Sequence, residues 1–229
     1  MKNYCIISND IKDRDLALML EIATYIRQKG GQAVGIRAHE GVHRQLDFDL
    51  SGMPADTECV LVLGGDGTMI RVATRLASVR VPLVGVNLGH LGYLCELDRE
   101  NVLAAVDHMM EGACVTEERM MLTGCREGGT QTKNALNDIV IHQKDGMSIL
   151  KLKVFVNGEL LTTYEADGII LATPTGSTGY NMSAGGPIVE PEARMILLTP
   201  INAHSLCSKS IVLDADDVVE VSWAAGGRM

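Results

Sequence analysis

Aromatic residues are scarce: one Trp, five Tyr and two Phe make up 3% of 229 residues. So few rings argue against a base-stacking platform for single-stranded nucleic acid. Basic charge is also short. Twenty Lys and Arg stand against 29 Asp and Glu, and the net charge of −9 opposes binding to a bare phosphate backbone or an anionic membrane. No apolar run is long enough to span a bilayer, and residues 1–10 lack the charged, apolar, small pattern of a signal peptide. The six cysteines (Cys5, Cys59, Cys95, Cys114, Cys125 and Cys207) are scattered and form no Cys-x-x-Cys pair. The expectation is a cytoplasmic, reduced protein without a cysteine-bound metal, whose thiols act as small apolar side chains.

What the chain does have is 24 glycines, 12 methionines and a 46% share of hydrophobic residues, enough for a sizeable core. Its first half alternates strand and helix patterns. Residues 4–8, 34–36, 59–63 and 82–86 read as buried strands, and residues 13–29, 68–77 and 98–110 as helices. Gly30 and Gly31 end the first helix, Asp98 is the candidate cap of the third, and Gly112 closes it. Residues 38–57 read mostly as loop. Strands separated by helices predict crossover connections and a parallel sheet. The second half is β-rich, with strands predicted at 139–142, 149–156, 160–164, 168–172, 196–199, 211–213 and 218–223. Asn157-Gly158 is a hairpin signal between two of them. The expected fold is an α/β domain over 1–113 followed by a β-rich, sandwich-like domain over 114–229.

Three features carry chemistry. The first is Gly64-Gly65-Asp66-Gly67-Thr68, between a buried strand and a helix. Its glycines let backbone approach a ligand, and the helix start favours a phosphate. It is neither a Walker A loop nor the Rossmann Gly-x-Gly-x-x-Gly. Asp66 would repel a phosphate, so it needs a role: holding Mg²⁺, accepting a proton from an attacking hydroxyl, or merely capping the helix. The second is the strand 168–172 running into Thr173-Pro174-Thr175-Gly176-Ser177-Thr178-Gly179-Tyr180, continued by Ser183-Ala184-Gly185-Gly186-Pro187. Its hydroxyls are candidates for binding sugar hydroxyls or phosphate oxygens. The third is Asn137-Asp138, an amide beside a carboxylate, suited to an amino-purine edge or ribose hydroxyls, or simply a turn.

Taken in this order, these features resemble the NAD kinase family, together with Val86-Asn87-Leu88-Gly89-His90-Leu91-Gly92-Tyr93-Leu94 and Leu198-Thr199-Pro200-Ile201 with His204-Ser205-Leu206. The Gly-Gly-Asp-Gly-Thr loop is shared with lipid kinases and, loosely, with 6-phosphofructokinases; the Thr-Pro-Thr-Gly-Ser-Thr run is the more specific. The resemblance implies a Rossmann-like, phosphofructokinase-like N-terminal domain and transfer of a phosphoryl group from ATP, or in some members polyphosphate, to the ribose 2′-hydroxyl of NAD, with a divalent metal such as Mg²⁺. It implies a catalytic or metal-organising role for Asp66 and phosphate binding by Gly64, Gly65, Gly67 and Thr68. Dinucleotide contacts fall on Asp66, Gly67, Arg71, Asn137, Asp138, Asp167, Thr178, Gly179, Tyr180, Asn181, Met182, Ser183 and Asn202. It also implies a homodimer or homotetramer, in which Asp167 and Asn202 are candidates to reach a neighbouring subunit's site.

The chain departs from the family pattern in four places. Gly179 stands where Ala is commoner, Asp138 where many members have Glu, and Glu165 where some carry a basic residue. The chain stops at Met229, directly after a strand, where members continue with further strands, so a β-rich domain shortened at its C-terminus is expected. A lipid or sugar kinase, or a non-catalytic dinucleotide-binding module, are the alternatives. His90, His142 and His204 lack metal-ligand spacing, Ser148-x-x-Lys151 lacks the partner motifs of a serine nucleophile, and Asp214, Asp216 and Asp217 read as a solvated turn.

Overall fold

A computed structural model describes residues 1–41, 46–89, 92–143, 149–204 and 209–223. The chain divides into two compact units, Met1–Thr116 and Glu117–Met229.

The first unit holds β1 (Asn3–Asn9), α1 (Ala17–Gln28), β2 (Gln32–Glu40), β3 (Leu46–Asp47), β4 (Cys59–Gly64), α2 (Asp66–Arg75), β5 (Leu83–Asn87) and α3 (Val102–Glu111). The sheet order is β3-β2-β1-β4-β5, parallel except for the short β3. Alternate residues feed two cores. Ile6, Leu61 and Leu63 pack with α1 and α3, while Cys5, Ile7, Val60 and Val62 pack with Val72 and Leu76 beside α2. Both faces are therefore covered, which is why these strands are nearly continuous apolar runs. The chain winds outward from β1 to β2, then returns to start β4 on the other side of β1. That reversal makes the C-terminal ends of β1 and β4 the crevice where open α/β sheets bind ligands.

The helix expected over 13–29 is broken. Asp15 and Leu16 take left-handed backbone angles (φ 56° and 54°), and α1 begins at Ala17. Buried Asp13 accounts for the break: its carboxylate accepts the Leu18 and Met19 N–H groups at 3.0 Å each and the Ser8 hydroxyl at 2.8 Å, capping α1 from outside it. Gly30 (φ 83°) and Gly112 (φ 77°) close α1 and α3 as expected. Asp98 does not cap α3 directly. It forms a turn ahead of it, accepting from Glu100 and Asn101 N–H, and Asn101 holds the N-cap position with its side chain turned back to accept the Asp98 N–H at 2.8 Å, not onto the helix. The stretch read as loop over 38–57 contains regular structure in its described residues, because β2 runs to Glu40 and pairs with β3 (Leu46–Asp47).

The second unit contains β6 (Leu122–Cys125), β7 (Thr132–Ala135), β8 (Asp138–His142), β9 (Leu150–Val156), β10 (Glu159–Ala166), β11 (Gly168–Ala172), the one-turn α4 (Tyr180–Ser183), β12 (Met195–Ile201), β13 (Ile211–Asp214) and β14 (Val219–Trp223). Two antiparallel sheets, β13-β12-β11-β8 and β10-β9-β14, share one core of Leu152, Val154, Tyr164, Ile169, Leu171, Ile196 and Leu198. This is a sandwich. Asn157 (φ 51°) and Gly158 (φ 84°) turn β9 into β10, the two positive angles a two-residue hairpin requires. The β6–β7 hairpin was not predicted.

Candidate active site

The glycine loop lies at the end of β4, every residue of which is buried. Its glycines make room for different neighbours. A Cβ on Gly64 would stand 2.5 Å from the Thr68 Oγ1, and one on Gly65 would stand 2.6 Å from the Lys12 Nζ. Gly67 faces open space. Helix α2 starts at Asp66, two residues earlier than its apolar spacing suggested, so Asp66 and Gly67 form its first turn. There the N–H groups lack intrahelical partners and the helix dipole is positive.

Asp66 does not cap its own helix. Its carboxylate accepts the Tyr93 N–H at 2.7 Å and the Leu94 N–H at 3.2 Å, from the segment after β5. Gly92 permits this: any side chain there would begin 2.2 Å from the Asp66 Oδ1. An ionised carboxylate offers about four acceptor positions, so two backbone bonds leave room for a hydroxyl. Cys95 is buried beside it, and its thiol is pushed up to about 11, by burial first and then by the Asp66 charge. Burial likewise pushes Cys5 up to about 11 and Cys59 up to about 12, so these free thiols are inert apolar groups.

Thr68 is turned inward. It is 3% exposed, and its hydroxyl accepts the Asn9 Nδ2 at 3.3 Å, so it fastens α2 to β1. Arg71 is half-buried on α2. Lys12, which the sequence did not single out, brings a cation over the loop from the segment after β1.

In the second unit, Asn137 precedes β8 and Asp138 opens it. The Asn137 carbonyl accepts the Thr173 N–H at 2.8 Å, and a Cβ on Gly176 would meet that carbonyl oxygen at 2.1 Å. Gly176 is therefore glycine because the Asn137 backbone fills its side-chain space. At Gly179 a Cβ would sit 3.5 Å from the Asn137 Nδ2 and 3.8 Å from the Asp138 Oδ2, so the amide and the carboxylate converge there. The Asn137 Oδ1 and the Thr175 Oγ1 are buried with no hydrogen-bond partner. Burial raises the Asp138 carboxyl above the usual carboxylate range.

The other hydroxyls of this turn build the turn. Thr173 Oγ1 donates to the Leu136 carbonyl at 2.5 Å and accepts the Gly176 N–H at 3.0 Å; Ser177 Oγ accepts the Val189 N–H at 3.3 Å. Thr178 is half-buried, with its hydroxyl 3.5 Å from the Thr175 carbonyl. Helix α4 splits its residues: Tyr180, Met182 and Ser183 are exposed, while Asn181 is fully buried. The Asn181 amide donates to the Ser177 carbonyl at 3.2 Å and the Pro187 carbonyl at 2.9 Å, and accepts the Thr199 hydroxyl at 2.7 Å. Its polar atoms are thus committed inside the protein. Asp167 and Asn202 are exposed and bonded to each other at 2.9 Å.

Among the described residues, no three His, Cys, Asp or Glu gather as metal ligands, and no helix is long and apolar enough to cross a membrane. His142 bonds the neighbouring Gln143 carbonyl, and Asp214, Asp216 and Asp217 bond one another's backbone in an exposed turn. His90, Leu91, Ser148, Ser205, Leu206 and Cys207 lie outside the described residues.

An open parallel sheet with a Gly-Gly-Asp-Gly turn at its strand reversal, joined in one chain to a β-sandwich, fits the class of small-molecule kinases that the sequence resembles. Two family models refine the class: the ATP-NAD kinase N-terminal domain matches residues 50–114 and the ATP-NAD kinase C-terminal domain residues 136–229. The chain belongs to the NAD kinase family. It is 56% identical over 221 residues to the NAD kinase of Agathobacter rectalis, covering 96% of this chain and 78% of that protein. It is 40% identical to the NAD kinase of Lachnospira eligens, covering all of this chain and 81% of that one. A crystal structure of yeast NADH kinase with NADH has the same fold (TM-score 0.79, 23% identity, 98% of this chain and 73% of that one). So does an Archaeoglobus fulgidus NAD kinase in complex with ATP (TM-score 0.75, 24% identity, 96% and 80%). Membership of this family sets aside the lipid and sugar kinase alternatives.

Proposed function

We propose that the chain transfers the terminal phosphoryl group of ATP to the ribose 2′-hydroxyl of NAD, giving NADP and ADP. The observation that carries this reading is Asn137. Its buried Oδ1 has no partner in the protein, and it stands beside a carboxyl that burial has already raised. A buried acceptor left open is costly unless a ligand completes it. Together with Asp138 it offers the donors and acceptors that an adenine amine or ribose hydroxyl needs. Gly179, Thr178 and the exposed Tyr180, Met182 and Ser183 would line the same contact, with Asn181 holding their turn in place. Asp167 and Asn202, exposed and joined, are the groups proposed to reach a neighbouring subunit's site in a homodimer or homotetramer.

Phosphoryl transfer depends on in-line positioning and charge neutralisation more than on covalent help from the protein. Asp66 would accept the proton of the 2′-hydroxyl as its oxygen bonds the terminal phosphorus and the bond to ADP breaks. The backbone of Gly64, Gly65 and Gly67 would face the donor phosphates, with Arg71 alongside. Among the described residues, no cluster of His, Cys, Asp or Glu would hold a metal by itself; Mg²⁺ riding on ATP would supply further neutralisation when bound.

The test is NADP formation from NAD, ATP and Mg²⁺, read with a coupled dehydrogenase. The wild-type chain should form NADP, and Asp66→Asn should be slower by about a thousandfold while still folded. Wild-type turnover in the folded Asp66→Asn protein would remove Asp66 from the mechanism. NAD binding by the wild type without turnover would make the chain a binding module.

A further inference from the structure

We propose that Lys12 is a phosphate-contacting residue of the reaction, placed to neutralise the donor's phosphates at the Gly64–Gly67 turn. The proposal rests on the kinase reading above and adds a residue to it.

Geometry comes first. Lys12 is exposed, yet its ammonium stands over the glycine turn: side chains built on Gly65 and Gly89 would begin 2.6 Å and 3.8 Å from its Nζ. Those two glycines follow β4 and β5, and Lys12 follows β1, so the cation sits where three strand ends open into the ligand crevice.

Its backbone is fixed. The Lys12 N–H donates to the Asn9 carbonyl at 3.1 Å, and the Asp13 N–H bonds the same oxygen at 2.9 Å. Asn9 is itself fully ordered by its neighbours: its Oδ1 accepts the Ile11 N–H at 3.1 Å, and its Nδ2 reaches Thr68 in the first turn of α2. One buried residue thus ties the turn that carries Lys12 to the helix that carries Asp66.

The charge is available. Lys12 lies between two aspartates in sequence, and both are engaged elsewhere. Asp10 pairs with Arg37 at 2.8 Å and His39 at 2.9 Å, and Asp13 caps α1. Asp66 faces the Tyr93 and Leu94 N–H groups. None of the ion pairs among the described residues includes Lys12. In a chain with net charge −9, a cation left uncompensated over a backbone cradle is suited to an anion that arrives from outside. Phosphate is that anion, and a lysine suits it as a point charge.

The experiment compares wild type, Lys12→Met and Lys12→Arg by two measurements. Steady-state kinetics at varied ATP and varied NAD should show Lys12→Met losing about tenfold or more in kcat/KM for ATP, with NAD affinity by calorimetry unchanged and Lys12→Arg recovering most of the loss. Calorimetry with magnesium tripolyphosphate, which needs no turnover, should show a matching weakening in Lys12→Met. An unchanged tripolyphosphate affinity overturns the proposal. So does an equal loss for NAD and ATP, which would put Lys12 at the acceptor's phosphates. If the wild type forms no NADP, the kinase reading fails by itself, and the tripolyphosphate comparison still decides whether Lys12 binds phosphate.

Discussion

The two glycine-bearing turns look alike in composition and are used in opposite ways. Around β4 and β5 the missing side chains make room for groups with chemistry: Lys12 over Gly65 and Asp66 over Gly92. After β11 they make room for groups that build the turn. The Asn137 backbone fills the place of a Gly176 side chain, and Asn181 stands 2.1 Å from where a Gly186 Cβ would be. A glycine is therefore informative through whatever occupies its absent side chain. In the first region a charged group stands within 2.6 Å of the missing side chain, while in the second the nearest charged group, the Asp138 carboxylate, stays 3.8 Å from Gly179.

The comparison is sharpened most by Gly92→Ala. A methyl 2.2 Å from the Asp66 Oδ1 must push the carboxylate off the Tyr93 and Leu94 N–H groups. With Asp66 in the role proposed above, small misplacements are costly, and kcat should fall about a hundredfold with NAD affinity retained. Near-normal kcat would mean that the backbone grip on Asp66 is incidental. Asn181→Ala probes the second turn. It removes the amide that the Ser177 and Pro187 carbonyls accept from in a buried site, and one of the two partners of the Thr199 hydroxyl, which keeps Ser210 at 2.8 Å. A loss of about 2 kcal/mol is expected, a fall of roughly 4–8 °C in Tm. An unchanged melting curve would break the claim that this turn is self-built.

The smallest effect belongs to Asp138→Asn. Burial raises the Asp138 pKa, so its contribution to stability is full below the ordinary carboxylate range and is lost as pH rises through the raised value. At neutral pH the ionised group is a liability that Asn removes. Thermal melts should show the variant about 1–3 °C more stable near pH 7, with the gap closing toward about pH 4, and NAD binding weakened. A gap that stays constant with pH would detach it from ionisation.

Local signals carried most of the architecture. The buried strands and Asn157-Gly158 were legible because apolar runs and positive-φ pairs are properties of neighbouring residues. The β6–β7 hairpin escaped because Leu122–Cys125 and Thr132–Ala135 are short and largely polar. At the site, the motif announced Asp66, while its partners at Tyr93 and Leu94 are 27 and 28 residues away and could not be read. The cationic reach of Lys12 and the inward turn of Thr68 depend equally on the β1–β4 neighbour relation. Asn181 was named with its exposed neighbours because nothing in four residues says which face of a single helical turn points inward.

The seat of Asp66 on Gly92 also has a diagnostic use. Here the space for that carboxylate is guarded by another position, so selection on the two should be relaxed together. With Asp66 in the role proposed above, a sister chain that kept aspartate at 66 but acquired a side chain at 92 would look intact by motif and yet have that carboxylate displaced.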